Sequence, residues 1–240
     1  MTASLFFALS PIPIGLTLMV FVPRCRGIQD LAKSLAPTFF LAVALHFALF
    51  ANLLASELWN NVVKSNVAIS REVSGLESML RIAEASLGEC SVEIQDSVRY
   101  YREEVISNEF SESLQPESRE GPFPLKKLYR LLVTDPEFIP NPTMKSLFKD
   151  SLEQVRAARY ERLELKSSHI SQIKFVVLFI FGLLTLIAIV VYHSANRSAL
   201  IFTTLLFSVC FSLTMGVMRV LDQPYLYPYL ITSERFENLR

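Results

Sequence analysis

Four windows without Asp, Glu, Lys or Arg, at residues 5–22, 34–56, 175–192 and 198–218, punctuate an otherwise charged chain. A bilayer core about 30 Å thick needs about 20 apolar helical residues, and one charge at the centre of such a helix costs about 2.5–3.5 kcal/mol on insertion scales. The windows therefore predict four transmembrane helices in an all-α membrane protein. Pro11 and Pro13 stand where the first window can begin a helix, a position that tolerates proline. No basic stretch precedes this window and no small-residue cleavage pattern follows it, so it reads as a retained first span rather than a signal peptide.

Residues 57–174 hold 16 of the 23 Lys and Arg and 19 of the 23 Asp and Glu. Within them Trp59, Val62, Asn66, Ile69, Val73, Leu76, Leu80, Ala83 and Leu87 recur at alternating steps of three and four. That spacing is a helical seam. Traced backwards it passes through Ala55, Asn52, Ala48, Leu45 and Leu41, so the second span and the seam predict one helix over residues 38–87. Further helices are expected over 91–114, around Leu125–Leu132, and from Pro142 or Thr143 unbroken into the third span. The stretch 116–124 and the turn 135–142 are loops, rich in Pro, Gly and Asp. The predicted organisation is transmembrane helices 1 and 2 over 1–57, a helical cytoplasmic domain over 58–174, transmembrane helices 3 and 4 over 175–218, and a cytoplasmic tail over 219–240. Spans two and three continue into an antiparallel helical stalk.

Four spans put both termini and the middle domain on one side. The opposite loops carry Arg24, Arg26, Lys33 and Arg197. The shared side carries Lys64, Arg71, Arg159, Arg162, Lys166, Lys174, Arg219 and Arg235 near the span ends. The positive-inside rule then makes the shared side cytoplasmic, in a plasma or inner membrane.

The formal net charge is zero, which does not favour a nucleic-acid partner. Cys25, Cys90 and Cys210 are scattered without metal-ligand spacing, and the three histidines are dispersed. Seven glycines leave little scope for phosphate-cradling loops, and no nucleophile, P-loop or zinc-protease motif occurs. The expectation is a protein that is not an enzyme and uses no cofactor and no metal. The acidic pairs Glu103–Glu104 and Glu161/Glu164 read as solvated helix faces.

Polar residues inside spans are the remaining candidates. Phe39, Val43, His46, Phe50, Leu53 and Glu57 share one face of the second span, with Asn52 nearby. If several copies packed these helices around an axis, this face would line a pore, gated by dewetting, with Glu57 concentrating cations at its mouth. The plainer reading is that His46 and Asn52 bond neighbouring helices. Ser, Thr and Gly in the fourth span read as a close-packing surface.

Three short stretches carry a family resemblance. Trp59 is followed by Glu72 and Leu76 after span two. Ala157-Ala158-Arg159 precedes Arg162-Leu163 before span three. Leu221-Asp222-Gln223-Pro224-Tyr225 follows span four as a variant of L-D-R-P-F. With the two-plus-two layout these resemble the bestrophin-like membrane family over residues 10–240. The resemblance implies a pentameric channel whose second span lines the pore and carries a phenylalanine neck, for which Phe39, Phe40, Phe47 and Phe50 are the candidates. It marks Trp59, Glu72, Arg159, Arg162, Asp222 and Pro224 as structural motif positions. Gln223 and Tyr225 depart from the pattern, and Asp222 is expected to pair instead with Arg159 or Arg162. No calcium site is carried over, because no acidic cluster has the ligand density.

The sequence thus supports an oligomeric ion channel, whose partners are the lipid bilayer, further copies of itself and permeating ions. The alternative is a non-conducting membrane scaffold or signalling protein acting through its helical stalk. A transporter is disfavoured, since no inverted repeat is visible.

Overall fold

The computed structural model describes residues 9–24, 37–86, 89–110, 125–135, 137–167, 172–226 and 230–239, and among them there is no strand. In chain order the helices are α1 (Pro11–Phe21), a 3₁₀ turn (Val22–Arg24), α2 (Pro37–Ala85), α3 (Glu89–Glu104), a π-turn (Val105–Glu109), α4 (Lys126–Thr134), α5 (Pro142–Ser167), α6 (Gln172–Tyr192), α7 (Arg197–Asp222) and α8 (Glu234–Glu237). Three of them, α2, α6 and α7, are long and apolar enough to cross a membrane, and α1 is a shorter apolar helix.

Local chemistry sets several ends. Proline opens α1 and α5, where its missing N–H costs nothing. Asn141 Oδ1 accepts from the N–H groups of Thr143 (2.9 Å) and Met144 (3.3 Å), which caps α5. Asn196 caps α7 in the same way through Ala199 N–H at 3.2 Å. The loop expected at 116–124 and the junction between α5 and α6, where one unbroken helix was expected, lie outside the described residues.

The chain divides into two compact units, the first of residues 1–60 and 169–223, the second of residues 61–168 and 224–240. In the first unit α2, α6 and α7 share a core of Leu54, Leu58, Phe175, Leu178, Phe211, Met215 and Met218. Two glycines permit close helix contact. A Cβ on Gly182 of α6 would lie 2.2 Å from the Phe211 ring, and one on Gly15 of α1 would lie 2.3 Å from Ser208 Oγ of α7. Of the Ser and Thr of α7, Thr204, Ser208 and Ser212 are buried, and Thr203 and Thr214 are half-buried.

In the second unit α2 packs on α5. Gly75 is the point of closest approach, since a Cβ there would stand 2.6 Å from Val155 Cγ2 and 3.1 Å from the Ser151 carbonyl. The contacts step down α5 as they step up α2, from Arg71–Glu161 to Gly75–Ser151. The seam of α2 differs from the predicted one by a single residue in half its positions. Val62, Ile69, Leu76 and Ala83 are buried as expected. Their companions are Leu58, Ser65, Glu72 and Met79, while Trp59 is exposed and Asn66, Val73 and Leu80 are half-buried. The reason is polar: the shifted register brings Glu72 inside, where an arginine meets it.

Candidate functional site

Two features of the molecule hold more chemistry than their surroundings. The first is the open face of α2 in the first unit. Of its most apolar 18-residue window 6% is buried, against 33% in the corresponding windows of α6 and α7. The face centres on Leu45, Leu49, Asn52 and Ser56, all exposed.

The predicted pore stripe lies along one edge of that face. Phe39, His46, Asn52, Leu53 and Glu57 are exposed, and Val43 and Phe50 are half-buried. Three of the four candidate neck phenylalanines pack on rings of their own chain. Phe40 stacks on Tyr192 at 6.1 Å between centroids, Phe47 meets Phe211 edge-on at 5.4 Å, and Phe50 meets Phe181 at 5.6 Å. Phe39 is 52% exposed. His46 Nδ1 donates to the Ala42 carbonyl at 2.7 Å, one turn back on its own helix, and its ring stands 6.3 Å from that of Phe181. That bond leaves Nε2 as the ring's remaining polar atom. At the end of the stripe Lys174 Nζ donates to both oxygens of Glu57, each at 2.7 Å. The two side chains remain nearly half exposed, so the pair is worth at most about 1 kcal/mol.

The second feature is a buried charge cluster in the second unit. Arg162 is fully buried. Its Nε and Nη2 donate to Glu72 at 2.7 and 2.9 Å, and Nη2 also donates to Glu109 Oε2 at 2.5 Å. Arg159 donates from Nε (2.9 Å) and Nη2 (2.6 Å) to Glu109 Oε1. Tyr101 O–H donates to Glu72 Oε1 at 2.6 Å. Lys166 Nζ donates to the Glu109 backbone carbonyl. The guanidinium of Arg162 also lies over the rings of Phe110 and Phe236, at 5.4 and 5.7 Å from their centroids.

These contacts decide how each group titrates. Burial works against the Arg162 charge, but the carboxylates of Glu72 and Glu109 overcome it and hold its proton well above the ordinary arginine value. Burial, then the Glu72 charge, pushes the Tyr101 phenol well up. Burial and then Arg162 pull Lys166 down from 10.5 to about 8, with Glu109 opposing. Glu104, half-buried at the end of α3, is raised by burial and by Glu109, against the pull of Arg159.

Glu72, Arg159 and Arg162 come together around Glu109, a residue the motifs do not contain. Trp59 is exposed, Pro224 is half-buried, and Asp222 is buried and accepts from Arg219 at 3.2 Å, one turn back on its own helix. Glu109 reaches the cluster through the π-turn, closed by Phe110 N–H donating to the Val105 carbonyl at 3.2 Å. The signal for Glu109 is its place in the stripe Ile94, Val98, Tyr101, Val105, where the next inward position falls at 108 or 109. Among the described residues no group of His, Cys, Asp and Glu has the geometry to hold a metal ion.

The family model described as a Bestrophin-like domain matches residues 8–236. The chain is similar in fold to crystal structures of a bacterial Bestrophin homolog from Klebsiella pneumoniae. One, a mutant, has a TM-score of 0.70 at 12% identity and covers 98% of this chain and 97% of its own. Another mutant has a TM-score of 0.68 at 14% identity, covering 97% and 96%. A crystal structure described as a membrane protein gives 0.71 at 12% identity, covering 100% and 98%. No curated protein sequence matches the chain.

Proposed function

Because this chain belongs to the bestrophin-like family, we propose that it is one subunit of an oligomeric, pentameric ion channel whose pore is lined by α2. The observation that carries this reading is the open face of α2. A face turned to lipid would carry only apolar side chains, yet this one exposes His46, Asn52 and Ser56 within a charge-free window. Polar groups at that depth favour a water-filled cavity. In this reading α1 extends to a fourth span. The second unit is the cytoplasmic domain, with both termini on the same side. The latter half of α2 and α5 form the antiparallel stalk. The family-motif cluster around Arg162 is structural, and the protein is not an enzyme. Phe39, with Leu45 and Leu49, forms the hydrophobic constriction, and Glu57 stands at the cytoplasmic mouth.

The test is ion flux from proteoliposomes. Glu57→Gln lowers, and Lys174→Gln raises, the preference for cations over anions, because Lys174 neutralises the charge that Glu57 presents. Phe39→Ala increases the leak by widening the constriction. Flux that is absent, or that ignores all three substitutions, contradicts the proposal. The alternative, a non-conducting scaffold acting through its stalk, draws on the exposed Val63 and Val67 in the cytoplasmic half of α2. It predicts unchanged membrane conductance and a partner held through that face.

A further inference from the structure

A cavity of about 680 Å³ opens in the second unit where α2 and α4 end and α3 and α5 begin. That volume suits a small molecule, for which pockets run about 300–1,000 Å³. Leu131, Phe138, Ile139 and Met144 give it an apolar wall. The turn between α4 and α5 shapes it. Asp135 N–H donates to the Leu131 carbonyl at 2.9 Å as α4 ends, and Asp135 Oδ1 accepts from Glu137 N–H at 2.9 Å. This fold-back buries Phe138 and Ile139 and leaves Asp135 and Glu137 exposed to water.

The charges around the cavity are of one sign. Three carboxylates line it, those of Glu93, Asp135 and Glu137, and among the described residues no Lys, Arg or His does. Glu93 is answered by Lys127, whose Nζ stands 2.5 Å from its Oε1. Asp135 and Glu137 have no ion-pair partner among the described residues. The Cys90 thiol also lines the cavity, half-buried at the start of α3. Burial, then the Asp135 charge, pushes that thiol up, so the field of Asp135 reaches into the cavity.

We propose that this cavity is a binding site for an organic cation, an ammonium group carrying a short apolar body. The ammonium meets Asp135 and Glu137, and the apolar body lies against Leu131, Phe138, Ile139 and Met144. Other ligand classes fit less of the lining. An anion would meet two carboxylates that no cation answers. A neutral apolar molecule would use only the apolar wall. A bare metal ion would leave that wall unused, and among the described residues no acidic group has the geometry to hold one. Because both carboxylates are exposed, each contributes modestly, and the charge contribution weakens with salt.

The test uses the full chain in nanodiscs and does not depend on conduction, so its failure leaves the channel reading untouched. Cys90 carries the readout, since its thiol lines the cavity. Its modification by N-ethylmaleimide at pH 8 is followed by mass spectrometry, with and without hexyltrimethylammonium, a permanent cation that does not react with the maleimide. The probe slows modification of Cys90 in a saturable way, and hexanol and hexanoate at the same concentration do not match it. Asp135→Asn keeps the acceptor for Glu137 N–H but removes a charge. It raises the half-protecting concentration about fivefold, and adding Glu137→Gln raises it about twenty-five-fold, at about 1 kcal/mol for each exposed pair. Both positions are exposed, so both variants fold. Protection by hexanol or hexanoate equal to that by the cation, or protection unchanged in the double variant, overturns the proposal. So does a Cys90 that stays unmodified without any probe, since the cavity is then already covered, as by a second copy of the chain.

Discussion

Replacing Arg162 by methionine removes the cation that holds two buried carboxylates, and the geometry says which one suffers. Glu109 keeps Arg159, through two donors, and Lys166 on its carbonyl. Among the described residues Glu72, fully buried, keeps only the Tyr101 hydroxyl at 2.6 Å. Breaking a buried ion pair by removing one partner costs about 3–5 kcal/mol, because the other charge stays uncompensated. In a chain of this size each 1 kcal/mol moves the melting midpoint by about 2–4 °C, so the loss is about 6–20 °C. The loss also depends on pH. With the guanidinium gone, burial favours the neutral acid at Glu72, and the folded state takes up a proton that the unfolded chain does not hold. Stability then falls as pH rises, and the deficit of Arg162→Met is larger at pH 8 than at pH 5. Adding Glu72→Gln removes the stranded charge while leaving an acceptor for Tyr101, and recovers most of the loss at pH 8. Circular dichroism melts of the three proteins at the two pH values measure this. A loss under about 1 kcal/mol, or a deficit equal at both pH values and untouched by Glu72→Gln, refutes the reading of the cluster as a mutually dependent charge network.

The glycine contacts make two further predictions. Gly75→Ala destabilises the second unit by about 1–3 kcal/mol, since its Cβ meets Val155 and the unyielding Ser151 carbonyl. Val155→Ala removes the nearer clash and restores part of the loss in the same melting assay. Gly15→Ala forces α1 away from Ser208, and Ser208→Ala relieves it. Protease protection of α1 in reconstituted vesicles reports both effects, and an unprotected α1 in the natural chain contradicts the packing.

What was legible in the sequence was what depends on the absence of a residue type. The windows at 34–56, 175–192 and 198–218 became helices long enough to span a membrane because charge is excluded there by its insertion cost. The start of α5 at Pro142 was legible because proline is tolerated at the first turn of a helix, and the structure adds the Asn141 cap. The seam of α2 was legible only in half its positions. A three-four pattern of apolar residues cannot anticipate that Ser65 and Glu72 are buried in preference to Asn66 and Val73, because the cost of burying Glu72 is offset by an arginine 90 positions away. Glu109 was missed for the same reason: the stripe of Ile94, Val98, Tyr101 and Val105 leaves its next inward position at 108 or 109, and the π-turn selects Glu109. For the neck phenylalanines, the family resemblance implied four candidates on the second span without their facing, and contacts with Tyr192, Phe211 and Phe181 decide which rings turn inward.

The most direct measurement of the central claim is the projection structure and particle mass of the detergent-solubilised protein. The account predicts a closed ring of five copies with an axial opening walled by the Leu45, Leu49, Asn52 and Ser56 face of α2. A monomer, or a compact assembly in which that face meets lipid and no opening runs along the axis, contradicts it.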